Sequence, residues 1–240
     1  VTRTATDTTT DAITVNLTSG ALGTLTLGAT NAGADYETFN LVVAGATKAT
    51  LTEAGTPDFS ASTDSIVVTG EGDIVLAIAD AALGGHATKG SAVAATINAS
   101  GHTGSLTLDL GLLETENVDL SKVTGVDIFK IETDDTGGDE NQLFNLASGS
   151  EVIVSSIEDA DNTLTLVPTA TVSTADTLTV TLNHKTAGSE IDLTSVTVDG
   201  YETVTVNSTG TVGTSGVVAT DAVKNIVDTI AGTSTDKNLR

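Results

Sequence analysis

The sequence predicts an all-β fold, a right-handed parallel β-helix (a β-solenoid) of short strands. First, residues 191–210 read IDLTSVTVDGYETVTVNSTG and are echoed at residues 118–137 by VDLSKVTGVDIFKIETDDTG, so a strand–turn–strand unit is repeated. Second, short alternating runs of β-branched residues occur along most of the chain. Third, these runs recur without the Asn-Gly pairs typical of tight hairpins. An Ig-like antiparallel β-sandwich is the alternative architecture.

The repeated unit leads to two further predictions. Its two long copies should occupy equivalent positions in the coils of the solenoid. A shorter third copy, DYETFNLVVAG at residues 35–45, shares the Tyr-Glu-Thr of residues 201–203. The two shared tyrosines, Tyr36 and Tyr201, are expected to pack at turns with the hydroxyl reaching backbone or water.

The composition predicts a core of small aliphatic side chains. Aromatic residues make up 2% of the 240 residues, and Met and Trp are absent, so Val, Leu, Ile, Ala and Thr must fill a narrow interior. Phe39, Phe129 and Phe144 lie in or near predicted strands and are assigned to this core. The absence of Cys excludes disulfides and thiolate metal sites. We expect residues 1–240 to be a single β-rich, lattice-type segment of a longer chain.

The charge of the chain limits its partners. Nine basic and 32 acidic residues give a formal net charge of −23 at pH 7. Such a field repels nucleic acid and anionic membranes and attracts divalent cations. No apolar run approaches the roughly 18 residues that a membrane span needs. We therefore expect neither a nucleic-acid partner nor a membrane span.

Some segments depart from a simple succession of strands. Residues 79–95 are rich in Ala and Gly and predict a loop or a short helical insertion. Residues 220–231 have apolar residues at helical spacing, with Thr220 as N-cap and Gly232 as stop, and predict a short helix, although they also suit a strand. Residues 65–69 and 73–78 are expected to pair with each other across an intervening Gly-Glu-Gly turn.

Three phrases of the chain resemble those of a known family. They are TINASGHTGSLTLDL at residues 96–110, DYETFNLVVAG at 35–45 and DGYETVTVNSTG at 199–210. Together with the Thr/Ala/Gly/Asp bias and the lack of Cys, they resemble Gram-negative bacterial surface-layer (S-layer) proteins of the type I-secreted, RTX-associated group. The resemblance implies a secreted, lattice-forming cell-surface protein, often a parallel β-helix, that is exported by a C-terminal signal and assembled with Ca²⁺.

The chain departs from this family at one motif. The RTX nonapeptide, Gly-Gly-x-Gly-x-Asp-x-apolar-x, is not present. The residues from Gly137 to Leu143 begin like it but lack the third Gly and the Asp. The calcium ladder of the family is therefore not transferred to any residue of this chain.

Two acidic segments are candidates for calcium binding on their own chemistry. Ca²⁺ takes six to eight oxygen ligands from carboxylates and carbonyls in irregular geometry. The loop at 133–141 combines paired glycines with Asp134, Asp135, Asp139 and Glu140, whereas residues 158–162 place Asp159 and Asp161 at the spacing that begins an EF-hand loop. The alternative for both is a solvated acidic loop that keeps the surface soluble.

Catalysis finds little support in the sequence, and an assembly function is expected instead. His86, His102 and His184 are far apart, and no Gly-x-Ser-x-Gly elbow occurs. The expected function is a calcium-stabilised S-layer segment whose partner is itself, with cell-surface polysaccharide bound through another part of the chain. The alternatives are a secreted adhesin or carbohydrate-binding β module and, less favoured because aromatic platforms are scarce, a polysaccharide-active β-helix enzyme.

Overall fold

The fold is taken from a computed structural model, which describes fourteen stretches of the chain. They are residues 2–3, 12–18, 24–29, 37–45, 47–53, 65–78, 95–113, 117–133, 140–155, 162–169, 175–184, 190–210, 224–232 and 238–239. Within these stretches the regular structure consists of β-strands alone. No helix there is long and apolar enough to cross a membrane.

The described strands form three sheets, one long and two short. The long sheet has ten strands in the order β1 (Thr2–Arg3), β3 (Thr24–Ala29), β5 (Thr47–Glu53), β7 (Ile74–Ala77), β9 (Leu106–Leu113), β12 (Ile128–Thr133), β14 (Glu151–Val154), β16 (Thr177–His184), β18 (Thr203–Gly210) and β20 (Asn238–Leu239). The first short sheet has the order β11 (Val123–Thr124), β8 (Thr96–His102), β6 (Ser65–Gly70), β4 (Thr38–Val43) and β2 (Ala12–Leu17). The second short sheet has the order β10 (Asn117–Asp119), β13 (Glu140–Leu146), β15 (Asn162–Pro168), β17 (Glu190–Val198) and β19 (Lys224–Ala231).

Every pairing between these strands is parallel, which confirms the predicted β-solenoid. Thr24 pairs with Thr50 near one end of the long sheet, and Thr177 pairs with Thr203 near the other. Parallel neighbours need a crossover connection, here one complete coil of chain, which we call a rung. The antiparallel sandwich is wrong, because its hairpins would produce antiparallel pairs. The hand of the coil stays a prediction.

The solenoid changes its cross-section near the middle. Before residue 114 the chain alternates between the first short sheet and the long sheet, whereas from Glu140 onward it alternates between the second short sheet and the long sheet. The rung between these halves contributes β10, β11 and β12, one strand to each sheet. The first short sheet therefore ends at this rung, and the second short sheet begins there.

The core is a stack of small aliphatic side chains, as the composition predicted. Leu and Val dominate the buried set, and Phe39, Phe129 and Tyr201 are the aromatic residues that join it among the described residues. The assignment of Phe144 to the core was wrong, because its side chain is only partly buried. The register of β13 shifts between Leu143 and Leu146, and this irregularity interrupts the alternation of inward and outward side chains.

Stacked glycines form the corners that lead from the first short sheet to the long sheet. A Cβ on Gly72 would lie 2.4 Å from the carbonyl carbon of Gly45, and one on Gly104 would lie 2.6 Å from the Glu71 oxygen. Successive rungs approach closely here because these positions lack side chains. The expected strand pair across residues 70–72 is therefore wrong: β6 and β7 lie in different sheets, and the Gly-Glu-Gly turn is a corner between them.

The helix predicted at 220–231 is also wrong where the structure describes it. Residues from Lys224 to Ala231 form β19, which pairs with β17 from Glu190 onward. A short isolated helix is marginal, whereas these β-branched residues gain ladder bonds to β17 along one side of the strand. Residues 220–223 and 79–94 lie outside the described residues, and Ala95 is buried immediately before β8.

The two long repeat copies occupy the same sheets but not the same positions. Each runs from the second short sheet to the long sheet. However, Val118 stacks through Leu143 and Leu166 onto Val198, whereas the sequence repeat aligns it with Ile191. The first copy also includes β11, which has no counterpart in the second. Equivalent positions were therefore wrongly predicted, because hydrophobic alternation sets the face of a strand but not its register with distant rungs.

Candidate functional site

The predicted calcium residues fall almost entirely outside the described residues. This holds for Asp134, Asp135, Asp139, Asp159 and Asp161, whereas Glu140 begins β13 and its backbone is paired with Thr163. The calcium site therefore stays a prediction.

The described strands nevertheless fix where the two acidic segments attach. One connects β12 to β13, and the other connects β14 to β15. Because β12 pairs with β14 and β13 pairs with β15, both segments leave and re-enter the solenoid at neighbouring rungs.

The histidines and acids of the described stretches form no such group. No three His, Asp or Glu side chains there are arranged to hold a metal ion. His102, at the end of β8, stacks on Gly70, and both of its ring nitrogens are buried without a hydrogen-bond partner. Burial of unpaired polar atoms is costly. His102 therefore destabilises the fold locally. The sequence had indicated only that it lies far from the other two histidines.

A cluster of charged side chains lies on the outer face of the long sheet. Lys130 Nζ is 2.8 Å from Asp109 Oδ2 and 3.5 Å from Glu132 Oε1. Ser155 Oγ donates to Glu132 Oε1 at 3.3 Å. These contacts connect β9, β12 and the end of β14. A partly exposed ion pair contributes about 0.2–1 kcal/mol, so the cluster ties neighbouring rungs together modestly.

Other acids of the described stretches also bond within the solenoid. Glu151 accepts a hydrogen bond from the Thr181 hydroxyl two strands away along the chain. At the corners, Asp73 Oδ1 accepts from the backbone N–H of Ser105, and Asp127 Oδ2 accepts from that of Leu106, both at 2.9 Å. These carboxylates satisfy N–H groups that the turning chain leaves outside the strand ladder. Their role is structural, and sequence reasoning missed it because single acids in strands carry no motif.

A bond between two rungs stabilises the start of the second short sheet. Asp119 Oδ1 accepts from the backbone N–H of Ser121 at 2.9 Å and from Asn145 Nδ2 at 2.5 Å. Asn145 has a φ of 60°, the single positive value among the described non-glycine residues. Asn tolerates this left-handed conformation better than most residues. The Asp of the repeated Asp-Leu-Ser/Thr phrase is thus a turn residue in its first copy.

Tyr201 confirms the role expected for a repeat tyrosine. It is 2% exposed, and its hydroxyl lies 3.5 Å from the carbonyl oxygen of Leu146. Burial raises the pKa of its phenol above the usual range, and the charge of Asp176 adds to the effect. The backbone N–H of Asp176 in turn donates to Glu202 Oε2 at 2.7 Å, which closes this corner. Tyr36 lies outside the described residues.

The three outer faces differ in charge. The long sheet has the Asp109–Lys130–Glu132 cluster at its centre, and the second short sheet includes Asp119 and Asp192. The strands of the first short sheet include no Asp, Glu, Lys or Arg.

Comparisons with known protein families, with curated proteins and with solved structures gave no match.

Proposed function

We propose that the chain is a structural segment of a secreted bacterial surface layer, which acts by assembling with copies of itself. The observation that carries the proposal is the long sheet, in which ten parallel strands run through the whole described stack. Such a stack offers extended side faces on a core that repeats from rung to rung, the geometry that tiling requires. The resemblance to S-layer phrases supports the same function.

The use of polar groups in the described stretches favours a scaffold. Asp73, Asp109, Asp119, Asp127 and Glu151 all bond to neighbouring strands or corners. These five carboxylates are thus engaged in holding the coil together. Function then lies in the shape and in the outer surfaces, where other subunits make contact.

Calcium is the proposed link between subunits or rungs. With a net charge of −23, copies repel one another at close range unless cations intervene. The proposed ligands come from the two acidic segments that join neighbouring rungs: Asp134, Asp135, Asp139, Glu140, Asp159 and Asp161. Carboxylates crowded in so few residues repel one another, and a bound divalent ion reverses that cost.

Electron microscopy of the purified chain tests the proposal. The chain is first dialysed against EDTA, then supplied with Ca²⁺, and imaged by negative staining. Ordered sheets should form with Ca²⁺ and disperse on return to EDTA. A parallel sample in Mg²⁺ at equal ionic strength separates specific binding from screening, because Mg²⁺ gives up its waters reluctantly. Failure to form ordered sheets at any Ca²⁺ concentration would contradict the assembly function.

A further inference from the structure

The five strands of the first short sheet place no charged side chain on its outer face. Most inward positions of its strands are filled by side chains at most 2% exposed, among them Phe39, Leu41, Ile66, Val68 and Ile97. The inward Ile13, Val15 and Val123, on the two edge strands, are partly buried. The alternate positions point outward and are at least partly exposed. We call this outward set the neutral face; its members are Ala12, Thr14, Asn16, Thr38, Asn40, Val42, Ser65, Val67, Thr69, Thr96, Asn98, Ser100 and Thr124.

This neutrality stands out in so acidic a chain. The whole sequence has 32 acidic and nine basic residues, yet the five strands contain none of them. Charged residues flank the strands instead, at Glu37, Glu71, Asp73, Lys122 and Asp127. A neutral centre within a charged rim is the usual layout of a protein–protein interface. In the long sheet β3, β7, β16, β18 and β20 are also free of charged residues, but β3 and β7 each lie between strands that have them. The run β16–β18–β20 is smaller than the first short sheet, because β20 has only two residues, and it is bordered by Glu151.

The chemistry of the neutral face keeps the cost of covering it low. Val42 and Val67 place apolar side chains near its middle. Several polar groups already have partners within the face: Asn98 Oδ1 accepts from Ser100 Oγ at 2.6 Å and from Thr124 Oγ1 at 3.4 Å. Polar groups that are satisfied internally lose less when water is removed than groups bonded to water alone.

We propose that the neutral face binds the neutral face of a second copy, sheet against sheet around a twofold axis. Sheets pack in this way about 10 Å apart, and a twofold contact uses the same surface on both partners. Like charges hinder approach on the other two faces, so this is the surface where two copies meet with the least repulsion. The inference rests on the proposed function, because it names one contact of the same assembly.

The size of the neutral face sets the strength of this contact. Four strands of six or seven residues and one of two form this sheet. At about 4.8 Å between strands and about 3.3 Å per residue, they give a patch on the order of 400 Å² per partner. Stable interfaces bury roughly 800 Å² per partner. The pair is therefore weak in isolation and becomes persistent only when further contacts, such as calcium links, act together with it.

Sedimentation equilibrium in EDTA isolates this contact, since calcium links are then absent. Wild-type chain should show a concentration-dependent monomer–dimer equilibrium that added NaCl strengthens, because salt screens the repulsion between copies of net charge −23. Val67→Lys and Asn40→Lys, each placing like charges in the centre of the contact, should weaken it roughly tenfold or more. Thr107→Lys is the matched control, an outward, partly exposed position on the long sheet, and should dimerise like wild type. Circular dichroism verifies that each variant is folded.

A cross-link gives a second measurement should the lysine variants unfold. The chain has no Cys, so Val67→Cys on the central strand and Thr107→Cys on the long sheet each introduce a single thiol. Mild oxidation should yield a disulfide dimer from the first and monomer from the second. Wild-type monomer in EDTA at all concentrations, or dimers that persist in the folded lysine variants, would overturn the inference.

The outcomes separate this inference from the proposed function. Calcium-driven sheets without any dimer in EDTA would refute the neutral-face contact and leave the surface-layer function standing. A dimer in EDTA without sheets in Ca²⁺ would support the neutral-face contact and refute the surface-layer function.

Discussion

Asn145 Nδ2 donates a 2.5 Å hydrogen bond to Asp119 Oδ1 and thereby joins the first two strands of the second short sheet. The bond holds Asn145 at a φ of 60°, where the register of β13 shifts. It lies in the region where the solenoid exchanges one short sheet for the other. The strain of that exchange is therefore borne by a residue type that tolerates it.

Replacement of Asn145 should separate the contribution of its hydrogen bond to Asp119 from the cost of its left-handed backbone. Asn145→Ala loses a hydrogen bond to a carboxylate and keeps the left-handed backbone, so we expect a loss of about 2–4 kcal/mol in unfolding free energy. Asn145→Gly loses the bond but relieves the backbone, so its loss should be smaller by about 1 kcal/mol. Urea denaturation followed by circular dichroism measures both. Equal stability of the Ala and Gly variants would show that the backbone at this position is not strained.

The stacked corner glycines should tolerate no side chain. Gly72→Ala places a Cβ 2.4 Å from Gly45 backbone, and the rungs must separate to accept it. We expect a loss of roughly 3 kcal/mol or more, comparable to severe overpacking. Gly101→Ala is the control, because its Cβ would meet only the Thr69 methyl at 3.4 Å. Thermal melts that rank the two variants equally would contradict the close stacking of rungs.

Tyr201 should make the fold sensitive to alkali. Its folded pKa lies above its unfolded value, so the stability gained by keeping the phenol neutral is fully present below about pH 10 and is lost as the pH rises towards the folded pKa. Tyr201→Phe keeps the ring and loses only a long contact to Leu146, so it should cost less than about 1 kcal/mol at neutral pH. It should also flatten the alkaline part of the stability profile. A steep alkaline loss that survives in Tyr201→Phe would assign the effect to another group.

The fold class could be predicted from the sequence because alternation and repeats report directly on strands. The element at Lys224–Ala231 shows the limit of this approach. Its apolar spacing suits a helix as well as a strand, and the pairing with β17 that decides between them is invisible in local sequence. The prediction of a strand pair across the Gly-Glu-Gly corner failed for the same reason, because the close contact of Gly72 with Gly45 joins residues one full rung apart.

The candidate site was predictable only in outline. A run of acids predicts a cation-binding loop, but the structural roles of Asp73 and Asp127 depend on backbone N–H groups from other rungs. The neutral face was likewise hidden, because its strands are separated in sequence by acidic connections. Charge became informative only once the register placed Asn40, Val67 and Asn98 side by side.

Assembly of the chain should depend on divalent ions in two stages. Addition of EDTA should disperse calcium-grown sheets, because removal of the ions restores repulsion between copies of net charge −23. Dispersal should stop at the weak dimer of the neutral face and continue to monomer only on dilution. Light scattering with sedimentation velocity distinguishes these species. Sheets that persist unchanged in EDTA would show that cations do not hold this assembly together.

The last prediction concerns the loop that follows β12. Asp134→Asn combined with Asp135→Asn removes two carboxylates while keeping side-chain size, so the chain should bind fewer Ca²⁺ ions or bind them roughly tenfold or more weakly in calorimetric titration. Asp is suited to such a loop because its short side chain holds oxygens near the backbone carbonyls that complete the shell. Glu71→Gln combined with Asp73→Asn is the matched control, since it also removes two acidic charges but lies at an exposed corner on a different part of the coil. Unchanged stoichiometry and affinity in the double variant would exclude the loop and direct attention to Asp159 and Asp161. Equal losses in the control would instead mean that Ca²⁺ responds to the overall charge of the chain and not to a defined site.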